Sequence, residues 1–247
     1  MKRKHKDKHN DMKVMKFGGT SVGSPDRMKN VASLITESGD PTFVVLSAMS
    51  GTTNSLIEIS NYLYKKNPDG ANEVINKLEK KYMQHVEELY STDEYKEKTR
   101  EFLREEFKYM RSFTKDIFTS FEEKSIVAQG EIMSTNMVLN YLQEQGIKAT
   151  LLSAFDFMRT DKNAEPDAQY IKEKLTAIMT ENEGYQIYIT QGFICLNAYG
   201  EIDNLQRGGS DFTASLIGVA LGAEEIQIWT DIDGMHNNDP RIVDETE

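Results

Sequence analysis

A short apolar segment that runs into a glycine-rich turn constrains this chain more than any other feature. Residues 14–17 are apolar except for Lys16 and predict a buried strand, and Gly18-Gly19-Thr20-Ser21 predicts a turn. Ser24 and Pro25 then provide a good N-cap and a good first helical residue. A strand, a glycine turn and a helix in this order present backbone N–H groups to a phosphate.

An ordinary turn is the alternative interpretation of this segment, with Lys16 as a solvated charge. The turn does not match the P-loop pattern, which ends in Gly-Lys-Ser/Thr. It also lacks the Gly-x-Gly-x-x-Gly pattern of dinucleotide-binding folds. A second loop of small residues, 47–54, follows a second apolar strand at 41–46. Because ligands of open α/β sheets bind at the carboxyl ends of strands, the second loop favours the phosphate site.

Strands alternate with helices along the rest of the chain, which predicts an α/β fold with a largely parallel sheet. We expect a helix at about 55–65 and a turn at Pro68-Asp69-Gly70. Apolar residues at helical spacing between about 70 and 121 predict a helical hairpin beside the sheet, with a capping box at Ser91 and Glu94. Core packing explains its aromatic stripe better than a partner surface does, and we expect His85 to be a half-buried structural residue. Further strands are expected at 147–153, 185–190, 193–196 and 225–231, a short extension or hairpin at 155–160, and helices at 167–179 and 212–221.

Charged residues are expected at the starts of two later helices. Glu131 is predicted in the first turn of a helix that ends near residue 145, where it either complements the helix dipole or holds an ammonium group in a cleft. Residues 205–211 form a second glycine-rich helix start that carries both Arg207 and Asp211. A phosphate loop needs no acid, whereas a site for an amino acid needs one charge of each sign.

Composition narrows the class of protein. The formal net charge is −11 and the pI is about 5.0, which makes general nucleic-acid binding a poor fit. A local cluster of cations can still hold a small anion. The single cysteine, Cys195, lies in an apolar run, so we expect a core thiol, no internal disulfide and a reducing, cytoplasmic location. No segment approaches the roughly 20 apolar residues of a membrane span, so no membrane partner is expected.

The two ends of the chain give weaker signals. Residues 1–11 are basic and lack the apolar segment of a signal peptide, so we expect a disordered leader, and His5 and His9 do not form a metal site. Near the other end, Asp231 and Asp233 flank a turn, where they either hold a metal or a ribose or serve as ordinary turn formers. We predict no protein-bound metal site.

Three separated segments resemble the signatures of the aspartate kinases, which are members of the amino-acid kinase superfamily. These segments are Lys16-Phe17-Gly18-Gly19-Thr20-Ser21-Val22, Arg207-Gly208-Gly209-Ser210-Asp211-Phe212-Thr213-Ala214, and residues 229–243 with Trp229-Thr230-Asp231 and Asp239-Pro240-Arg241. Residues 47–54 and 130–134 resemble two further family segments. The order is the family's order, and together the segments reach from residue 12 to about 244.

The resemblance implies a three-layer α-β-α sandwich and a reaction. The side-chain carboxylate of L-aspartate attacks the γ-phosphate of ATP, with Mg²⁺ as the metal, to give 4-phospho-L-aspartate and ADP. This is the first step toward lysine, threonine and methionine. The implied partners are L-aspartate and MgATP, and a homo-oligomer is possible.

Carried over position by position, the resemblance also implies roles for individual residues. The implied catalytic residues, of which the first also contacts the phosphates, are Lys16 and Asp211. The residues implied to line the phosphoryl path or to lie at the nucleotide are Gly18, Gly19, Thr20, Thr230, Asp231 and Arg241. The residues implied to bind the substrate are Ser47, Thr53, Glu131, Arg207 and Asp211, of which Arg207 clamps the α-carboxylate and the two acids hold the α-ammonium.

Three departures from the family pattern bear on these expectations. Gln206 and Cys195 stand where the family usually has glycine. The family's catalytic domain also continues past residue 247 and is usually followed by ACT domains, so we expect 12–247 to be an incomplete catalytic domain and the activity of this chain alone is left open. Two alternatives remain: a superfamily enzyme that acts on another small acid, and a non-catalytic ligand-binding fragment. Arg207 and the two carboxylates argue against UMP or carbamate as the substrate.

Overall fold

A five-stranded parallel sheet forms the centre of the molecule. The computed structural model describes residues 12–115, 117–205 and 209–230. The strands of the sheet are β1 (Lys13–Phe17), β2 (Thr42–Leu46), β3 (Ala149–Leu151), β4 (Ile187–Gln191) and β7 (Glu225–Trp229). Their spatial order is β3-β4-β2-β1-β7, and every neighbouring pair is parallel. A small antiparallel hairpin of β5 (Ile194–Leu196) and β6 (Ile202–Asn204) lies outside this sheet.

Helices cover both faces of the sheet. They are α1 (Pro25–Thr36), α2 (Thr52–Tyr64), α3 (Pro68–Leu89), α4 (Asp93–Ser112), α5 (Ser120–Glu144), α6 (Ala154–Phe157), α7 (Ala168–Glu181) and α8 (Gly209–Leu221). The first four and most of α5 pack on one face, whereas α6, α7 and α8 pack on the other. Among the described residues, no helix combines the length and the apolar character needed to cross a lipid bilayer.

The strands feed two separate cores because successive side chains of a strand point to opposite faces. Met15 and Val44 belong to the core beneath α1 to α5, and Val14 and Phe43 belong to the core beneath α6 to α8. All five residues of β2 are buried, as expected for a central parallel strand. The three-layer α-β-α architecture is therefore confirmed.

The helix that follows the glycine turn begins where the sequence predicts. The Ser24 side chain accepts a hydrogen bond from the backbone N–H of Arg27, and Pro25 is the first helical residue. The predicted helical hairpin is also present as α3 and α4. These two helices run antiparallel, because Arg100 pairs with Glu87 whereas the later Arg111 pairs with the earlier Glu79. His85 is half-buried on α3, with Nδ1 2.8 Å from the carbonyl oxygen of Lys81, and Cys195 is buried in the second core.

Two predictions at the ends of the hairpin helices are wrong. Pro68-Asp69-Gly70 is not a turn but the first turn of α3, because Asn67 caps it by accepting from the N–H of Gly70 at 2.9 Å. The capping box at Ser91 and Glu94 does not form. The Glu144 carboxylate instead accepts from the N–H groups of Ser91 and Thr92 at 2.9 and 2.7 Å.

The start of α5 differs most from the prediction. The helix begins at Ser120, because Thr119 and Glu122 form a capping box there. Glu131 therefore lies in the middle of α5, far from its first turn, and complementarity with the helix dipole is the wrong interpretation of this residue. The first part of the extension expected at 155–160 is replaced by the short helix α6, which Ser153 caps, whereas Arg159 and Thr160 form isolated β-bridges with Leu196 and Pro166.

Candidate functional site

The candidate site lies at the carboxyl ends of β1 and β2, where the first turns of α2 and α8 approach the sheet. Lys16 is the penultimate residue of β1, and Ser47 directly follows β2. The parallel register pairs Phe17 with Leu46, so the glycine turn and the loop 47–51 leave the sheet side by side. The N–H of Ser47 donates to the carbonyl oxygen of Phe17 at 3.2 Å and extends this pairing by one residue.

An ion pair joins the end of β1 to the start of α8. Lys16 Nζ lies 2.7 Å from Asp211 Oδ1, and the Lys16 side chain is only 12% exposed, against 53% for Asp211. A Cβ atom placed on Gly18 would lie 3.4 Å from the same Nζ. The ammonium group is therefore held beside the backbone of the glycine turn, a position in which it can neutralise the charge of a phosphate.

The glycine turn packs directly against the loop after β2. The N–H of Ser50 donates to the carbonyl oxygen of Gly19 at 3.0 Å. A Cβ atom on Gly19 would lie 2.7 Å from the carbonyl oxygen of Ala48, so a side chain cannot fit without a shift of the backbone. Arg27 of α1 supports the turn from the other side, because its guanidinium donates to the carbonyl oxygen of Thr20 at 2.6 Å.

Ser47 contacts Ser210, a residue with no role predicted from the sequence. Its Oγ donates to Ser210 Oγ at 2.8 Å, and Ser210 is buried in the first turn of α8. Gly192 lies against Ser210, since a Cβ atom on Gly192 would come within 2.3 Å of Ser210 Oγ. The signal for Ser210 was its place inside the Gly-Gly-Ser-Asp segment, but the contact with Ser47 joins distant parts of the chain and could not be read from that segment.

Glu131 reaches the same loop from α5. It is 5% exposed, and its Oε1 accepts from the N–H of Ala48 at 3.2 Å. Within the described part of the chain, Oε2 is buried and has no hydrogen-bond partner. Burial raises the pKa of Glu131 to about 7, and the hydrogen bond from Ala48 opposes this rise. A buried carboxylate oxygen without a donor is suited to accept one from a ligand.

One peptide group of the loop is held on both sides by α5. The carbonyl oxygen of Ser47 accepts from Ser134 Oγ at 2.7 Å, while the N–H of Ala48 donates to Glu131. The helix can come this close because residue 130 is glycine, where a Cβ atom would lie 2.7 Å from that of Ala48. Thr53 follows in the first turn of α2, which begins after Gly51 in the left-handed conformation (φ +80°).

Two of the expected phosphate and nucleotide residues share a cavity of about 240 Å³ between α1 and the end of β7. Thr20 and Thr230 both line it. The Trp229 ring, which also lines the cavity, stacks on Phe17 with ring centroids 5.7 Å apart.

The structure therefore brings Lys16, Gly18, Gly19, Ser47, Glu131 and Asp211 into one connected site, with Thr53 beside it and Thr20 and Thr230 at an adjoining cavity. Arg207, Asp231 and Arg241, together with Gln206 and the leader 1–11, lie outside the described residues. Among the described residues, no group of three or more histidine, cysteine or acidic side chains could hold a metal ion.

Comparison with known proteins connects this geometry to one family. Residues 11–247 match the model of the amino acid kinase family. Lysine-sensitive aspartokinase 3 of Escherichia coli is 33% identical over 235 residues, which are 93% of this chain and 51% of that protein. The chloroplastic aspartokinase 1 of Arabidopsis thaliana is 34% identical over 244 residues, 93% of this chain and 42% of that protein. The chain thus spans about half the length, or less, of these curated relatives.

A solved structure gives the same result for the fold. The crystal structure of E. coli aspartokinase III in complex with aspartate and ADP superposes with a TM-score of 0.82 at 31% identity. The match covers 96% of this chain and 53% of that one.

Proposed function

The chain belongs to the amino acid kinase family, and from this premise we propose that it transfers the γ-phosphate of ATP to the side-chain carboxylate of L-aspartate. The products are 4-phospho-L-aspartate and ADP. The observation that carries the proposal is the Lys16 ammonium, held by Asp211 at 2.7 Å over a glycine turn and beside a loop of small polar residues. The likeness to aspartokinase III, which was solved with aspartate and ADP, supports the choice of ligands.

The proposed reaction needs positioning and charge neutralisation more than proton transfer. A carboxylate oxygen of L-aspartate forms a bond to the γ-phosphorus, and the bond from that phosphorus to the β–γ bridging oxygen breaks as ADP leaves. Aspartate side chains are ionised at pH 7, so the nucleophile requires no general base. Lys16 and the backbone N–H groups of the glycine turn stabilise the charge on the transferring group, and Asp211 keeps Lys16 in place.

The substrate is recognised by charges of both signs. Glu131 Oε2 accepts from the α-ammonium, which supplies the donor that this buried oxygen lacks among the described residues. Thr53 donates a hydrogen bond, and Ser47 does so once its bond to Ser210 gives way, while Arg207 pairs with the α-carboxylate. Asp211 adds negative charge near the ammonium, although in the ligand-free structure one of its oxygens is paired with Lys16.

In this proposal the nucleotide lies beside the glycine turn. Gly18, Gly19 and Thr20 fit the phosphates, because the turn offers backbone N–H groups next to the Lys16 cation. Thr230, Asp231 and Arg241 contact the nucleoside end. Mg²⁺ accompanies ATP as its counter-ion, and we assign it no protein ligand.

The wider setting of the reaction also belongs to the proposal. We place it at the first step toward lysine, threonine and methionine, in the cytoplasm, with a homo-oligomer as the possible assembly. The pathway step and the homo-oligomer rest on the resemblance to the aspartate kinases, and the location rests on the single cysteine of the chain.

Thermal unfolding with ligands tests the proposal even where turnover is slow. A ligand that binds only the folded state raises the unfolding midpoint. We expect a rise with L-aspartate, a smaller or absent rise with L-glutamate, and a further rise when MgADP is added. If another small acid raised the unfolding midpoint as much as L-aspartate or more, that acid would be the better candidate for the substrate.

A ligand-binding fragment without turnover is the second candidate. An assay of ADP release separates the two candidates. Aspartate-dependent release of ADP supports the kinase, whereas a thermal shift without any release supports the fragment.

A further inference from the structure

Two consecutive residues of α3 contact the same turn of the substrate loop, defined as residues 47–53. Lys81 Nζ donates to the carbonyl oxygen of Ser50 at 3.1 Å. The Tyr82 hydroxyl lies 3.0 Å from Thr52 Oγ1. Between these two points lies Gly51 with φ +80°, so helix α3 holds the loop on both sides of its left-handed residue.

The Tyr82–Thr52 pair is fully buried, and each of the two residues has 0% exposure. Burial, together with the nearby charge of Glu131, raises the pKa of Tyr82, so its hydroxyl stays protonated and available for hydrogen bonding. The Tyr82 ring is fixed by the hairpin itself, because it packs edge-on against Phe107 of α4 with centroids 5.9 Å apart. A buried hydroxyl on a fixed ring gives Thr52 a defined position.

The first turn of α2 needs such an outside contact. Its N-cap residue is Gly51, which has no side chain, and no side-chain cap is formed. The other end of the substrate loop is held by α5, through Ser134 and Glu131. At residues 50–52 the glycine turn accepts the N–H of Ser50, and α3 adds the side-chain hydrogen bonds of Lys81 with Ser50 and of Tyr82 with Thr52.

We propose that Tyr82, assisted by Lys81, is a positioning residue for substrate binding: it fixes Thr52 and so orients the turn of α2 that carries Thr53. This inference rests on the proposed function, in which Thr53 binds L-aspartate. Its consequence is that the helical hairpin, which core packing alone would explain, also sets the affinity for the substrate.

Matched variants separate positioning from simple loss of stability. Tyr82→Phe removes the hydroxyl and keeps the ring. Tyr90→Phe is the control, because Tyr90 ends the same helix, is also buried, and donates to the carbonyl oxygen of Met137 at 2.7 Å, outside the substrate loop. Lys81→Met has its own control in Lys29→Met, because Lys29 also donates to a backbone carbonyl, that of Glu88, at 3.0 Å.

Hydrogen exchange without ligand is the first readout. We expect the amides of residues 50–55 to exchange at least tenfold faster in Tyr82→Phe than in the wild type, and at the wild-type rate in Tyr90→Phe. Equal exchange in the two tyrosine variants would overturn the proposal. If Tyr82→Phe does not fold, Lys81→Met provides the test instead. We expect the amides of residues 50–55 to exchange at least threefold faster in Lys81→Met than in Lys29→Met. Equal exchange rates in these two lysine variants would overturn the proposal.

Ligand affinity is the second readout. We expect the Kd for L-aspartate to rise five- to tenfold in Tyr82→Phe, with the Kd for MgADP changed less than twofold. The double variant Tyr82→Phe/Thr52→Val removes both polar groups. Compared with Tyr82→Phe alone, we expect it to regain stability but not affinity for L-aspartate. If it regained both, the Tyr82–Thr52 pair would serve stability only, and the proposal would be wrong. Absence of aspartate binding in the wild type would refute the proposed function, while the exchange result would still test the positioning of the loop.

Discussion

Glu131 accepts the backbone N–H of Ala48 with one carboxylate oxygen and, within the described residues, leaves the other oxygen buried without a donor. One oxygen of the Glu131 carboxylate is thus used by the loop, and the other is left for a donor that the described residues do not supply. This asymmetry makes the protonation of Glu131 sensitive to a ligand, because an ammonium group placed at Oε2 would favour the charged form.

Glu131 should lower the stability of the ligand-free protein as the pH rises toward neutrality. Its pKa is about 7 in the folded state against an ordinary value of 4.5, so the folded state binds more protons than the unfolded state between these values. Stability from this residue is therefore fully present below about pH 4.5 and is lost as the pH rises through 7. The full difference is about 3 kcal/mol, at about 1.4 kcal/mol per pKa unit.

Urea unfolding at pH 5 and pH 8 measures this effect. Glu131→Gln removes the ionisation, so the loss of stability between the two pH values should be smaller in the variant than in the wild type. Identical pH dependence in both proteins would show that Glu131 titrates normally.

Binding of L-aspartate should release a proton from Glu131. At pH 6 the carboxyl group is mostly protonated in the free protein, whereas pairing with an ammonium requires the carboxylate. Calorimetric titrations in two buffers of different ionisation enthalpy should report release of close to one proton at pH 6 and much less at pH 8. Glu131→Gln is expected to bind aspartate more weakly and without this release, and the same proton count in the variant would assign the proton to another group.

Lys16→Ala should remove turnover while leaving aspartate binding nearly intact. The loss of a preorganised charge at the transferring group typically reduces kcat by about 10²- to 10³-fold. Steady-state kinetics and aspartate titration provide the two measurements. Lys13→Ala on the same strand is the control, because Lys13 lies at the opposite end of β1 and should change neither quantity. Unchanged turnover in Lys16→Ala would contradict the catalytic role.

Gly19→Ala should destabilise the protein much more than Gly18→Ala. The added methyl group on Gly19 would lie 2.7 Å from a backbone oxygen, whereas on Gly18 it would meet only the end of the Lys16 side chain at 3.4 Å. Overpacking of this kind costs about 1–3 kcal/mol. Chemical denaturation of both variants checks this prediction, and equal stability would mean that the glycine turn can move away from the substrate loop.

Local patterns predicted much of the fold. The start of α1 could be predicted because Ser24 and Pro25 act on their own backbone, and buried strands such as β2 because burial on both faces selects continuous apolar runs. The capping box at Ser91 failed for the opposite reason. The backbone N–H groups of Ser91 and Thr92 donate to Glu144, a residue more than 50 positions away in the chain. No local sequence pattern indicates this contact.

Many residues of the candidate site could be predicted from the sequence, but the contacts between them could not. Lys16 and Asp211 were each assigned roles from their motifs, yet their pairing depends on how α8 packs on β1. Glu131 was assigned to the site from a segment that resembles the family, while its position in mid-helix depends on the capping box at Thr119. Pro68 shows a related ambiguity, because a Pro-Asp-Gly sequence suits both a loop turn and the first turn of a helix.

The pairing of β1 with β7 has a consequence for the protein as it leaves the ribosome. Lys13 pairs with Glu225, which is synthesised roughly 210 residues later. At about 5–20 residues per second, one edge of the strand that carries Lys16 stays without its partner for on the order of 10–40 s. The contacts between the loop after β2 and α5 can form once Ser134 has been synthesised, whereas the ion pair with Asp211 waits for nearly the whole of the described chain. A nascent chain halted before α8 therefore has a partial sheet with an open apolar edge, the kind of species on which chaperones act.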